Sequence, residues 1–356
     1  MTAYMWTLTR GGHGRPGSWL ARLLLATVMF VVAAEGMARI FWWVHYDLPF
    51  SDARHILFAF YPELRRVEVI HPSRHDGSYE ILLLGESVLH RDWGGVEQAL
   101  VEQLGREGHV NVRVSNAAVP AHTSRDSLLK YSAMLQARFD LVVVYDGIND
   151  TRTNNAPPAV FRRDYDHYGW YEVVNAMAPY HATAWFSLPY TLRYSEIGVR
   201  QRLSADRYVP LGSVRDDWRV YGRNARSVES LERNLTGILD IASRRGDRLV
   251  LMTLAAYMPP DYSFEAFQRH ALDYDLHLSP IEIWGRPEYV MAAVASQNEA
   301  IRRLAAQNPN VLFVDQARLM PTGATYFNDV CHFTLVGSAK FVANLLDVLR
   351  PTLDNR

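Results

Sequence analysis

Cysteine and lysine are almost missing from this chain of 356 residues. Cys331 is the sole cysteine, which excludes an intrachain disulfide and any all-cysteine metal site. Lys130 and Lys340 are the only lysines, and the other basic residues are arginines. Neither sign of charge dominates. The formal net charge is −1 and the isoelectric point about 6.9, so no global field gathers nucleic acid. The sequence has no Walker A motif, no Rossmann glycine fingerprint, no internal repeat and no low-complexity tract. No cofactor and no metal is expected from it. What it has in quantity is apolar: 49% of residues are hydrophobic and 21% charged. That predicts a substantial folded core, in one large domain or two small ones.

A long apolar stretch stands near the N-terminus. Arg10, Arg15 and Arg22 precede an apolar run at residues 23–34. With its flanks, residues 19–44, it is long enough to cross a hydrocarbon core, which takes about 20 helical residues. Glu35 and Arg39, at i,i+4 spacing, can pair on one helix face. Trp42, Trp43 and Tyr46 read as an interfacial aromatic belt. Arginines before the run outnumber those just after it. This places residues 1–18 in the cytoplasm and the main domain outside the inner membrane, in the periplasm where the source has two membranes. A cleaved signal peptide is the rival reading. No clean A-x-A site precedes the Glu35–Arg39 pair, so an uncleaved single-pass anchor is expected. A buried core helix is a weaker rival, because nothing nearby upstream would cover it.

Residues 45–78 mix proline, aromatics and charges and read as a juxtamembrane connector, with a strand at 67–70. From residue 79 strands alternate with helices. Strands are expected at 81–84, 110–115, 139–145, 248–254 and 311–314; helices at 94–105, 124–137, 224–244, 287–307 and 335–349. The strand at 81–84 is continuously apolar, and the one at 139–145 is so from 141 onward, as in strands buried on both faces. Such alternation means right-handed βαβ units and an α/β fold, a doubly wound parallel sheet. Two aromatic-rich stretches, about 151–223 and 257–286, break the rhythm. The first is too long for a bare loop and reads as a helical insertion over the strand ends: a lid, a sugar-binding wall, a surface against the bilayer, or a plain structural excursion.

Four separated spots follow strands, and this fold would bring them together. Ser87 ends the first strand, where ligands bind in open α/β sheets; a helix N-cap serine is the plainer reading. Residues 116–124 follow the second strand, residues 146–150 the third, and residues 329–332 precede the last helix. The set meets the needs of acyl transfer. A serine hydroxyl needs a base, and His332 can serve near neutral pH. Asp329 can take the other imidazole N–H and fix the tautomer. Ser87 N–H, a backbone N–H from the 118–121 loop and the Asn149 side-chain amide can hold an oxyanion, and Gly147 lets its backbone approach closely. His90 and His122 lie near the expected site, though a lone histidine is more often surface or core. Asp140 starts the third strand while Asp146 and Asp150 end it, so the three cannot converge. Arg125 and Asp126 belong to the first turn of a helix, and Cys331 reads as a buried spacer beside His332.

Gly85-Glu86-Ser87, the 116–124 loop, Gly147-Ile148-Asn149-Asp150 and Asp329-Val330-Cys331-His332 stand in the order of the four signature blocks of the SGNH (GDSL-like) hydrolases, and the chain resembles that superfamily over about residues 79–350. The resemblance implies a flavodoxin-like sheet, Ser87 as nucleophile, Asp329 and His332 as support and base, and Asn149 as oxyanion donor. Two departures stand out. Glu86 replaces the usual aspartate. Alanines, Ala118 and Ala121, occupy the glycine loop, and Ala121 aligns with the backbone donor. If that position requires positive φ, alanine is strained there.

The expected function is a membrane-anchored serine esterase acting on an ester, with an acylated carbohydrate or cell-envelope polysaccharide suggested by the aromatic insertions. The same residues can run O-acyl transfer to a polysaccharide, the acyl group can be fatty, or the domain can be a non-catalytic polysaccharide-binding scaffold. The membrane is the other expected partner; nucleic acid is not.

Overall fold

The computed structural model describes residues 17–70, 78–135, 137–209 and 214–353; the expectations for residues 1–16, Arg10 and Arg15 included, lie outside them. Five strands are formed: β1 (Tyr79–Gly85), β2 (Val112–Asn116), β3 (Leu141–Tyr145), β4 (Arg248–Met252) and β5 (Leu312–Val314). They pair in the order β2-β1-β3-β4-β5, all parallel. The order reverses between β1 and β3, which makes their carboxyl ends the switch point where such sheets bind ligands. Ile81 pairs with Leu141 and Gly85 with Tyr145, so the turns after the two strands start at the same level.

Side chains alternate across the strands and feed two cores. Leu82, Leu84, Val142 and Val144 face one; Ile81, Leu83, Leu141 and Val143 face the other. Among the helices, α1 (Gly17–Tyr46) and α2 (Glu63–Ile70) precede β1, and α3 (Val96–Arg106) and α4 (Ser124–Ala133) flank β2. After β3 come α5 (Ile148–Arg152), α6 (Gly169–Met177), α7 (Leu188–Leu203) and α8 (Ser227–Arg245). Then follow α9 (Phe264–Gln268), α10 (Pro287–Gln307), α11 (Gln316–Leu319) and α12 (Leu335–Leu353). Leu129 of α4 and Leu235 of α8 fill the first core; Leu100 of α3 and Leu345 of α12 fill the second.

Two local expectations are corrected. Residues 67–70 are the end of α2, not a strand. Leu64 and Val67 are buried at helical spacing, and Glu63 in the first turn meets the buried Lys130 at 2.7 Å. The aromatic belt is also redrawn. Trp43 is exposed, but Trp42 is 1% exposed and sits among the rings of Tyr46, Phe60, Tyr190 and Tyr194. Its indole donates to Thr191 Oγ1 at 2.8 Å. The cause is α7, whose aromatic face these side chains complete.

The helix α1 is long and apolar enough to cross a membrane by length and composition. Its side chains from 19 to 33 are uncovered, and from residue 34 it rests on the globular part. The expected Glu35–Arg39 pair forms at 2.6 Å. Glu35 also accepts from the backbone N–H groups of Ser187 and Leu188, both at 2.8 Å, which satisfies donors at the N-terminus of α7. In the 151–223 span, α6 and α7 pack beside the connector and α1. Trp170 and Tyr171 of α6 donate to Asp126 of α4, at 2.9 and 2.6 Å.

Candidate active site

The site starts with a close approach. A Cβ on Gly85 would stand 2.4 Å from the Tyr145 carbonyl oxygen, so only glycine lets β1 turn this near β3. Glu86 follows and reaches across the switch point. Its carboxylate accepts from Gly147 N–H at 2.8 Å and Asn149 N–H at 3.0 Å. That strut fixes the turn after β3 against the turn after β1, and Gly147 meets it at φ +147°. Burial pushes the Glu86 carboxyl above its ordinary value, Asp146 and Asp150 push it further, and the two N–H donors pull it back.

Ser87 is 5% exposed. Its Oγ lies 2.7 Å from His332 Nε2, and His332 Nδ1 lies 2.7 Å from Asp329 Oδ2. The Nδ1–H donates to the carboxylate, which leaves Nε2 to accept the serine hydroxyl. Asp329 Oδ1 takes the backbone N–H groups of Cys331 and His332, at 3.0 and 2.9 Å, so the acid is tied to its own loop. The expected meeting of Ser87, His332 and Asp329 is therefore the geometry found. Asp329, Cys331 and His332 also lie close enough to invite a metal, but both ring nitrogens are engaged and the two ligand atoms of the acid–imidazole pair face each other. Cys331 is fully buried and its thiol is pushed well up by that burial, as a spacer should be.

Two donors on the loops after β2 and β3 meet no acceptor among the described residues. In the loop after β2, Ala118 N–H donates to Asn116 Oδ1, Val119 N–H to Gly85 O and His122 N–H to Val119 O. Pro120 has no N–H. Ala121 alone keeps its donor free of a protein acceptor among the described residues. Its φ is +67°, so the alanine in the glycine loop is strained, at a cost of about 1–2 kcal/mol. Arg152 holds the loop there by donating to Ala121 O at 2.9 Å. Asn149 Nδ2 is buried with no hydrogen-bond partner among the described residues, while its Oδ1 accepts the indole N–H of Trp284 at 2.8 Å.

Other sequence candidates fall outside this constellation. His122 is buried against Tyr61 and Trp170, and burial lowers it to about 3; it is a neutral core side chain. His90 lines a cavity of about 470 Å³ with Glu63, Arg66, Arg91 and Ala118, between α2 and the loops after β1 and β2. Asp140 stays apart, accepting Glu80 N–H at 2.9 Å. Asp146 and Asp150 do approach each other, with Glu86 as the third acid in place of Asp140. Two residues were not read from the sequence. Trp284 was embedded in an aromatic stretch with no local mark of its role. Trp93 lies against the His332 ring, centroids 4.7 Å apart, and no pattern in the sequence marks it. That stretch, 257–286, also pins the histidine loop: Tyr257 N–H donates to Val330 O at 2.9 Å and His277 N–H to Asn328 O at 2.7 Å.

No family model matches the chain, and no curated protein matches it. Solved structures do. A putative acylhydrolase from Bacteroides fragilis is 13% identical with a TM-score of 0.46, over 84% of this chain and 98% of that one. An acetyl-xylooligosaccharide esterase from Geobacillus is 14% identical with a TM-score of 0.41, over 76% and 94%. A lipase/acylhydrolase from Enterococcus faecalis is 15% identical with a TM-score of 0.42, over 77% and 96%.

Proposed function

We propose that this protein is a serine ester hydrolase of SGNH type that works through an acyl-enzyme on Ser87. The observation that carries the reading is the unbroken Ser87–His332–Asp329 hydrogen-bond line, with Asn149 tied to the neighbouring Glu86 and its buried Nδ2 without a partner among the described residues. A buried donor without a partner costs about 1–3 kcal/mol, so it marks a place prepared for an acceptor from outside. His332 Nε2 takes the Ser87 proton as Oγ attacks the acyl carbonyl. Asp329 stabilises the imidazolium that forms. Ser87 N–H, Ala121 N–H and Asn149 Nδ2 hold the oxyanion. His332 then protonates the leaving alcohol, and water attacks the acyl-enzyme in the second half-reaction. The near-burial of Ser87 suits a small acyl group such as acetyl on a carbohydrate or envelope polymer.

In this reading α1 remains attached as a single-pass anchor, with the arginine-rich N-terminus inside and the domain outside the inner membrane. Its support is that α1 is long and apolar enough to cross a membrane and that no clean A-x-A site precedes the Glu35–Arg39 pair.

The test is mass spectrometry of the protein mixed with an activated acetyl ester. A transient acetyl adduct on Ser87, absent from Ser87→Ala, is expected; turnover without an adduct, or an unaffected Ser87→Ala, overturns the reading. Acetate release from O-acetylated polysaccharide against acetyl transfer onto a polysaccharide acceptor separates hydrolysis from transfer.

A further inference from the structure

We infer that the loop carrying Trp185 and Phe186 inserts into the lipid bilayer beside α1, so that the domain sits in the outer headgroup layer at a fixed depth. The inference rests on α1 being a membrane span. Its first step is a length. Arg22 is the last charge before the apolar run and Glu35 the first after it. The helix between them, residues 23–34, rises only about 18 Å, whereas the hydrocarbon core is about 30 Å thick and takes about 20 residues. With Arg22 at the inner boundary, the outer boundary falls near residue 42. With Arg22 snorkelling and the span starting at Trp19, it still falls near residue 38. Either way the bilayer runs past Glu35 and into the stretch that the globular part grips.

The grip is built for that depth. The Glu35 carboxylate takes Arg39 and two backbone N–H groups. Arg39 also donates to the carbonyl oxygens of Phe50 and Trp185, at 2.8 and 2.9 Å. Both charges are satisfied by protein, as charges at membrane depth must be. The Arg39–Trp185 bond sets the level of the loop at the outer hydrocarbon boundary. At that level Trp185 and Phe186 are 77% and 63% exposed, nothing in the protein covers them among the described residues, and aromatic side chains favour this zone. The side of α1 turned away from the domain stays apolar past Glu35, with Met37, Ile40, Trp43 and Val44 all exposed. Continuity of that face with the span points to lipid as the occupant.

The experiment uses the full chain in nanodiscs of phosphatidylcholine and phosphatidylglycerol, with an environment-sensitive nitrobenzoxadiazole probe on one introduced cysteine. Cys331 is fully buried and stays unlabelled in the folded protein. Three variants are compared: Phe186→Cys, Leu24→Cys within α1, and Val110→Cys on the exposed α3–β2 loop. Lipids carrying a doxyl group at acyl carbon 5 should quench Phe186→Cys and Leu24→Cys several-fold more than aqueous iodide does, and Val110→Cys should show the reverse order. Lipid quenching at position 24 with iodide quenching at position 186 overturns the insertion and leaves the span standing. Protection of position 186 from both quenchers marks a protein contact and also overturns it. Iodide quenching at position 24 removes the span itself, and the inference with it.

Discussion

The indole of Trp284 is a donor only, so the Asn149 atom it meets at 2.8 Å is the amide oxygen. That single contact decides which end of the amide is left to serve the site. Trp284 is in turn 2% exposed, and its carbonyl accepts from Asn155 Nδ2 at 2.6 Å, so it has little freedom to release Asn149. We expect Asn149→Ala to lower kcat by about 10²–10³-fold, the usual loss for one oxyanion donor. Trp284→Phe keeps most of the packing and removes the N–H; kcat should fall by about tenfold with KM little changed. A double-mutant cycle checks the assignment: Trp284→Phe should add nothing once Asn149 is alanine. Additive losses would make Trp284 a packing residue alone. Nothing near position 284 in the sequence announces this role, because the contact joins residues far apart in the chain.

Among the elements, those that sequence made legible share one property: the pattern that identifies them is local. The runs at 81–84 and 139–145 are buried on both faces, and their composition alone says so. The four blocks at strand ends are legible for the same reason, since the sheet order carries them to one edge. Residues 67–70 misled because their alternation satisfies a strand period, while the buried Lys130 that meets Glu63 in the first turn of α2 comes from elsewhere in the chain. The docking of α1 was hidden in the same way. Trp42 carries the sign of an interfacial anchor, and only α7 turns it into a core residue. Trp42→Ala should therefore destabilise the folded domain by about 3–5 kcal/mol, as loss of a buried tryptophan does. Trp43→Ala, one residue on and exposed, should cost under about 1 kcal/mol. Thermal melts of the two variants in detergent check this. Equal, small effects would take Trp42 out of the core and detach the domain from α1.

For the molecule as a whole, two sets of buried titratable groups pull in opposite directions. Burial lowers His122 to about 3, His167 to about 4 and His181 to about 4, from an ordinary 6.5. They are neutral in the fold and protonate on unfolding, so their contribution is complete above pH 6.5 and is lost as pH falls below it. Glu86, Asp146 and Asp150 behave in the contrary sense. Burial raises each carboxyl, and for Glu86 and Asp146 a neighbouring acid adds to it. Their contribution is complete below the ordinary carboxyl value, about 4, and is lost as pH rises through their raised folded values. Between about 4 and 6.5 the two sets oppose each other; above 6.5 only the acids remain. Stability should thus peak near or below neutrality and decline on the alkaline side. Asp146→Asn tests the source of that decline. Its Oδ1 can still accept from Ser127 Oγ, 3.0 Å away in the parent, and one acid is gone from the group. Denaturant midpoints between pH 7 and 9 should fall less steeply in the variant, by at most about 1.4 kcal/mol per pH unit for the one proton removed. A slope identical to the parent's would mean that Asp146 is already ionised in the fold and compensated there. The strut from Glu86 to Asn149 would then stand beside a like charge, and the hold on Asn149 and the Ala121 loop would fall more to Trp284 and Arg152.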